Sequence, residues 1–114
     1  MANLSEEILV TIFNLQKQLF YVINEATATD YNLVEQYSET AETLPELEEL
    51  SNIRERARDA YTRLFRLSLN IAETQPAIDR SKLELLYRAI EQADLTVDAL
   101  EISIQEIKNN WDLS

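Results

Sequence analysis

Apolar residues in the last third of the chain recur at alternating intervals of three and four positions. The series is Leu83, Leu86, Ile90, Ala93, Val97, Leu100, Ile104, Ile107 and Trp111. This spacing places all of them on one face of an α-helix and forms a seam of about four heptads. Ser81 and Glu84 match a capping box, in which each side chain binds a free amide of the first turn. We therefore predict a helix over residues 81–111.

The middle of the chain repeats the pattern. Its apolar series is Leu50, Ile53, Ala57, Ala60, Leu64, Leu67 and Ile71, widened on one side by Tyr61, Phe65 and Leu69. Thr43 and Glu46 form a second capping box, with Pro45 in the first turn, where its missing amide hydrogen costs no hydrogen bond. Because Pro76 disfavours a helical residue before it, the helix should end near residue 74. We predict a helix over residues 44–74.

The first segment opens at Asn3 or Ser5, and its early acids suit a helix N-terminus. Its apolar positions are Ile8, Ile12, Leu15, Leu19, Val22 and Ala26, and after several poor helix formers the series resumes at Val34, Tyr37, Ala41 and Leu44. The resumption is one position late, which a continuous helix absorbs by local unwinding. We predict one helix over residues 4–42 that is distorted near 28–31. A break there, giving four helices, is the alternative.

Long helices with few breaks determine the expected fold class. The chain has no glycine and only two prolines, so it contains few positions suited to tight turns. Three long helices joined by short connections run up, down and up, with their seams facing a common interior. We expect an all-α, antiparallel bundle of three long helices that forms one domain over residues 1–114. At about 1.5 Å per residue, the helices are roughly 45 to 60 Å long.

Net charge and cysteine content exclude several function classes. The formal charge of −11 disfavours binding to nucleic acid, because lysine and arginine make the contacts to phosphate. With no cysteine, the chain has neither disulfides nor a thiolate site. No apolar run reaches the length of a membrane span, and the N-terminal segment is acidic, unlike a signal peptide. We expect a cytoplasmic protein with neither nucleic acid nor membrane as its partner.

Carboxylates are the main candidates for chemistry, because the chain contains no histidine and no cysteine. They occur in the helical pairs Glu39 with Glu42, Glu46 with Glu49, and Glu91 with Asp94. These fragments resemble the Mg²⁺-binding carboxylate pairs of the MazG-like nucleotide pyrophosphohydrolases, and that resemblance implies a magnesium-dependent enzyme as an alternative. The interval from Glu49 to Glu91 is longer than in that family. We expect no catalytic residue, no cofactor and no metal site.

Charge is unevenly distributed along the chain. An acidic patch without any base spans the turn between the first two predicted helices and comprises Glu35, Glu39, Glu42, Glu46 and Glu49. We interpret it as a solvated end of the molecule. The alternative is an inhibitor that mimics nucleic acid with its carboxylates.

Half of the ten positive charges lie between residues 54 and 66. They belong to Arg54, Arg56, Arg58, Arg63 and Arg66. At 100° per residue these arginines are scattered around the helix and leave no single basic face. We expect them to pair with acids of neighbouring helices.

The third helix carries more apolar residues than its seam requires. Leu95, Ala99 and Ile102 lie roughly opposite the seam and form a second stripe, which we call the α3 stripe. The first helix has a similar excess at Leu9, Phe13, Phe20 and Ile23. A bent first helix or a fourth helix could cover these side chains. Left exposed, they would mark association surfaces.

These observations favour a non-enzymatic protein–protein interaction module, such as an adaptor, an assembly factor or a regulatory subunit. We expect it to bind another protein, itself, or both, with a homodimer as the preferred assembly. The predicted partner surface comprises Leu95, Ala99, Ile102, Phe13 and Phe20.

Overall fold

A computed structural model describes residues 4–74 and 79–113 of the chain. They form three α-helices, α1 (Glu6–Tyr37), α2 (Leu44–Ala72) and α3 (Arg80–Asn110). Every pair of helices is in contact, and the bundle measures 56 × 21 × 17 Å. The prediction of an all-α bundle of three long helices is confirmed. No helix in the described ranges combines the length and the apolar character needed to cross a lipid bilayer.

The core follows the heptad seams of α2 and α3. Buried positions on α3 are Leu86, Ala89, Ala93, Val97, Leu100, Ile104 and Ile107, and those on α2 are Leu50, Ile53, Ala57, Leu64 and Ile71. The remaining predicted seam residues, including Ala60, Leu67 and Trp111, are partly buried and pack against this core. Tyr61 also packs there, but Phe65 and Leu69 face solvent. The seam of α2 is therefore narrower than its apolar composition indicates.

Helix α1 is continuous through residues 28–31. The predicted one-residue shift of its apolar series near these residues is therefore wrong, and so is the alternative of a break. The seam keeps its three-four spacing through Thr29 and Leu33, while Val34 and Tyr37 lie outside it. Thr29 is only 2% exposed, and its hydroxyl donates a hydrogen bond of 2.8 Å to the carbonyl oxygen of Glu25. Because this bond satisfies the buried hydroxyl, a threonine can occupy a core position.

The helix ends differ from the predicted ones at several points. Helix α1 ends at Tyr37 instead of residue 42, and α2 ends at Ala72. Ser38 takes a positive φ of 62° at the end of α1, and its amide donates to the carbonyl oxygen of Val34. Helix α1 begins after Ser5, which is its N-cap and was one of the two predicted starting residues. Asn3 and Pro76 lie outside the described residues.

Neither predicted capping box forms. At the start of α3 the N-cap is Asp79, whose Oδ1 accepts a hydrogen bond of 2.9 Å from the amide of Ser81. Aspartate caps helices as well as serine does, and its charge also favours the helix N-terminus. Thr43 makes no cap hydrogen bond to α2. It is buried in the α1–α2 connection, where its Oγ1 accepts from the amide of Thr40 at 2.8 Å.

One end of the bundle is held together by aromatic and polar contacts between all three helices. The rings of Tyr37 and Trp111 meet edge to face at 5.0 Å. The Tyr37 hydroxyl donates to the carbonyl oxygen of Trp111 at 2.8 Å, and Trp111 Nε1 donates to Glu46 Oε2 at 3.1 Å. The end of α1, the start of α2 and the end of α3 therefore lie together. At the opposite end Ile12, Ile71 and Leu86 form a second cluster, which gives the up, down, up arrangement.

Candidate functional site

The α3 stripe lies on the solvent side of the bundle. Leu95 and Ile102 are each 60% exposed, and Ala99 between them is also exposed. On the same helix Val97 and Leu100 are buried in the core. The two sets alternate because α3 rotates by about 100° per residue, which separates the stripe from the seam. The exposure expected from the helical wheel is thus present in the structure.

The predicted aromatic residues of α1 are also exposed. Phe13 and Phe20 are each 61% exposed, and the ring of Phe20 meets that of Tyr21 at 6.4 Å. Ile23 instead packs partly buried against the core. Of the four apolar residues predicted to widen the α1 face, Phe13 and Phe20 are therefore exposed, whereas Leu9 and Ile23 are partly buried.

Phe13 lies in a groove between α1 and α2, away from the α3 stripe. Apolar side chains of both helices line this groove, which has a volume of about 210 Å³. The lining from α2 includes Phe65 and Leu69, which the apolar pattern assigns to the widened seam of α2. The predicted partner surface is therefore not continuous: Leu95, Ala99 and Ile102 form the α3 stripe, Phe13 lines the α1–α2 groove, and Phe20 is not part of that lining. A wheel drawn for one helix cannot show that Phe13 and Phe65 line the same groove, because this depends on how the helices pack.

The acidic patch lies at the Tyr37–Trp111 end of the bundle. Glu35, Glu39, Glu42 and Glu49 are exposed. Glu46 is partly buried and accepts the hydrogen bond from Trp111, so it contributes to the packing of this end. Among the described residues no group of three acids is close enough together to hold a metal ion.

The carboxylate pairs that resemble those of the pyrophosphohydrolases lie far apart. Glu46 contacts Trp111, whereas Glu91 lies twenty positions before Trp111 on the same helix, α3. That separation is roughly 30 Å along the helix axis. The fold therefore does not assemble the pairs at Glu46 and Glu91 into one site.

Ion pairing accounts for only one of the five α2 arginines. Arg54 pairs with Asp30 of α1 at 3.3 Å, and Lys108 of α3 pairs with Glu25 of α1 at 2.6 Å. Within residues 4–74 and 79–113, no other basic side chain has an acidic oxygen within 4.0 Å. The expectation that the arginines pair with neighbouring helices is therefore correct for Arg54 and wrong for the other four.

The structure brings together arginines that were predicted to be scattered. Arg58, Arg63 and Arg66 line one groove between α2 and α3, with a volume of about 500 Å³. Arg63 and Arg56 line an adjacent groove. The five arginines do not form a single face, since Arg54 pairs with α1. Three of them nevertheless line one groove, because α3 forms its second wall.

Comparison of the chain with protein-family models, with curated proteins and with solved structures finds no match. The fold and the surfaces described above define a three-helix bundle that presents an apolar stripe on α3, an apolar groove between α1 and α2, and an arginine-lined groove between α2 and α3.

Proposed function

We propose that this chain is a protein–protein interaction module that forms a homodimer through the α3 stripe. The observation that supports it best is the exposure of Leu95 and Ile102, at 60% each, on one side of a helix whose other side is core. Leaving two large aliphatic side chains in water on one face is unfavourable, and a partner that covers them recovers that free energy.

The spacing of the α3 stripe suits pairing with a second copy of itself. Residues 95, 99 and 102 follow the four-three interval of a coiled-coil seam. In a twofold, antiparallel pair of α3 helices centred near Ala99, Leu95 of one copy faces Ile102 of the other. The small side chain of Ala99 at the centre lets the two helices approach closely. The same surface is then used on both copies, which closes the assembly at two chains.

The energetics indicate a dimer of modest affinity. Burying an aliphatic side chain of this size contributes about 1.5 to 3 kcal/mol, less for one that is already partly covered. Two such residues per chain must offset the loss of translational and rotational freedom on association. The dimer should therefore dissociate on dilution. A reversible dimer of this kind leaves the α1–α2 groove available for another protein, as an adaptor, an assembly factor or a regulatory subunit requires.

Sedimentation equilibrium over a range of protein concentrations tests the dimer. We compare the wild type with Leu95→Glu/Ile102→Glu, which adds two charges to the α3 stripe. The matched control is Asn14→Glu/Gln18→Glu, which adds the same two charges at exposed positions of α1. Circular dichroism of each variant reports whether the helices are retained.

We expect the wild type and the α1 control to dimerise and the α3 variant to be a folded monomer. A wild type that is monomeric at all concentrations would contradict the proposed dimer. Loss of helical structure in the α3 variant would show that Leu95 and Ile102 contribute to the core, which would also contradict it.

A further inference from the structure

Three arginines with no acidic partner surround the larger groove between α2 and α3. Arg58, Arg63 and Arg66 are all exposed, and in the described part of the chain no acidic oxygen lies within 4.0 Å of their guanidinium groups. Asp59 is the single acid in the lining. The segment 54–66 has a net charge of +3 in a chain whose total is −11. The groove is therefore a local positive region on a negative molecule.

The groove also has an apolar component. Leu67 of α2 is partly buried and packs against the core, while Leu85 of α3 remains 43% exposed. Both side chains line the groove together with the arginines. Arginine suits such a position because its planar guanidinium binds carboxylates through two parallel hydrogen bonds and is less strongly hydrated than an ammonium group.

We propose that the α2–α3 groove binds an acidic, amphipathic segment of another protein. Aliphatic side chains of that segment contact Leu67 and Leu85, and its carboxylates pair with Arg58, Arg63 and Arg66. An amphipathic helix placed in a groove provides both kinds of contact from one face. This groove is separate from the α3 stripe, so the proposal rests on the proposed function only in that both involve binding to proteins.

Charge argues for a protein segment over a nucleic acid. The groove, with a volume of about 500 Å³, accepts a few side chains from one face of a short acidic helix, and the carboxylates of that face lie next to the arginines. A nucleic acid extends its phosphates beyond this region, over the remainder of the molecule, which carries a net charge of −14. Affinity for nucleic acid depends on the number of phosphates that are neutralised, and the groove offers few.

A synthetic peptide tests the proposal. The probe is a fluorescent helical peptide of about sixteen residues with leucine at the i, i+3, i+4 and i+7 positions and glutamate elsewhere. A second peptide has glutamine in place of every glutamate. Titration with the full-length chain, followed by fluorescence anisotropy, gives the dissociation constants at low and at physiological salt concentration.

Two pairs of variants locate the binding site. Arg63→Gln/Arg66→Gln removes two positive charges from the groove, and Lys17→Glu changes the net charge by the same amount on α1. Leu85→Ala removes an apolar contact in the groove, and Leu95→Ala makes the same change on the α3 stripe. All of these positions except Leu85 and Leu95 are polar and exposed, and glutamine retains the helix propensity of arginine.

We expect the glutamate peptide to bind more tightly than the glutamine peptide and to lose affinity as salt increases. Affinity should fall by about tenfold in Arg63→Gln/Arg66→Gln and by less than about twofold in Lys17→Glu. Leu85→Ala should weaken binding more than Leu95→Ala does. The monomeric variant Leu95→Glu/Ile102→Glu should bind the glutamate peptide as the wild type does, so that failure of the dimer and failure of this proposal can be told apart.

Four results of the peptide titrations would overturn the proposal. They are equal binding of the two peptides, no measurable binding up to about 1 mM, wild-type affinity in the double arginine variant, and displacement of the peptide by a single-stranded oligonucleotide at equal concentration. Self-association that Arg63→Gln/Arg66→Gln abolishes would also overturn it, because a second copy would then occupy the groove.

Discussion

Two leucines of α3, five positions apart, provide a direct test of the arrangement described here. Leu100 is completely buried in the core, and Leu95 is 60% exposed. Replacing either with alanine removes the same three carbon atoms from the same helix. At about 0.8 kcal/mol per buried methylene, the loss of hydrophobic burial alone lowers the free energy of unfolding of Leu100→Ala by about 2.4 kcal/mol. The cavity left behind raises the total to about 2.5 to 5 kcal/mol.

The same calculation gives a smaller effect for Leu95→Ala. Because only two fifths of this side chain is buried, the loss of hydrophobic burial costs about 1 kcal/mol, and no closed cavity forms. Urea denaturation at a protein concentration too low for dimerisation measures both free energies of unfolding, with association removed from the comparison. We expect Leu100→Ala to be the more destabilising by at least about 1.5 kcal/mol. Equal effects would refute the assignment of the seam and of the α3 stripe.

Three further substitutions test the contacts that the structure adds to the sequence pattern. Because Asp79 caps α3, Asp79→Ala should destabilise the protein by about 1 kcal/mol in thermal or urea denaturation, whereas Ser81→Ala should have little effect. A larger loss of stability in Ser81→Ala than in Asp79→Ala would support the capping box instead. Thr29→Val should change the free energy of unfolding by less than about 1 kcal/mol, since a methyl group replaces a hydroxyl that donates to a backbone carbonyl of its own helix. A larger loss would mean that this hydroxyl is essential to α1. Trp111→Phe should lower the free energy of unfolding by about 1 to 3 kcal/mol, because the carboxylate of Glu46 loses the indole that donates a hydrogen bond to it. An unchanged free energy of unfolding would show that this contact does not stabilise the end of the bundle.

The two proposed surfaces have different requirements and can be studied independently. Pairing through the α3 stripe is apolar and brings together two chains of charge −11, so added salt should strengthen it by screening their repulsion. Binding in the α2–α3 groove depends on exposed arginines, so it should weaken as ionic strength rises. A salt series on dimerisation and on peptide binding therefore separates the two interactions without any mutation.

Much of the fold could be predicted from the sequence because the seams of α2 and α3 repeat over many turns. Residues such as Val97, Leu100 and Ile104 were assigned correctly from their intervals alone. The phase of α1 beyond Ala26 was not, because the pattern counted only apolar residues. Thr29 occupies the next core position, and its hydroxyl is satisfied within its own helix. The threonine at this seam interval was the available signal, because within a helix its hydroxyl can donate to the carbonyl oxygen four residues earlier.

The sequence by itself determined the helical class and the face of α3 that carries the stripe, since each depends on residues close together on one helix, and it favoured three long helices over four. Only the tertiary structure decided which side chains of different helices meet. It placed Phe13 and Phe65 in the lining of one groove between α1 and α2, and it gave Glu46 the indole of Trp111 as a partner. It also brought the arginines of α2 to the wall formed by Leu85 of α3. A helical wheel records angles around one axis, whereas a groove is formed by two helices whose relative rotation and position are set by packing of the common core.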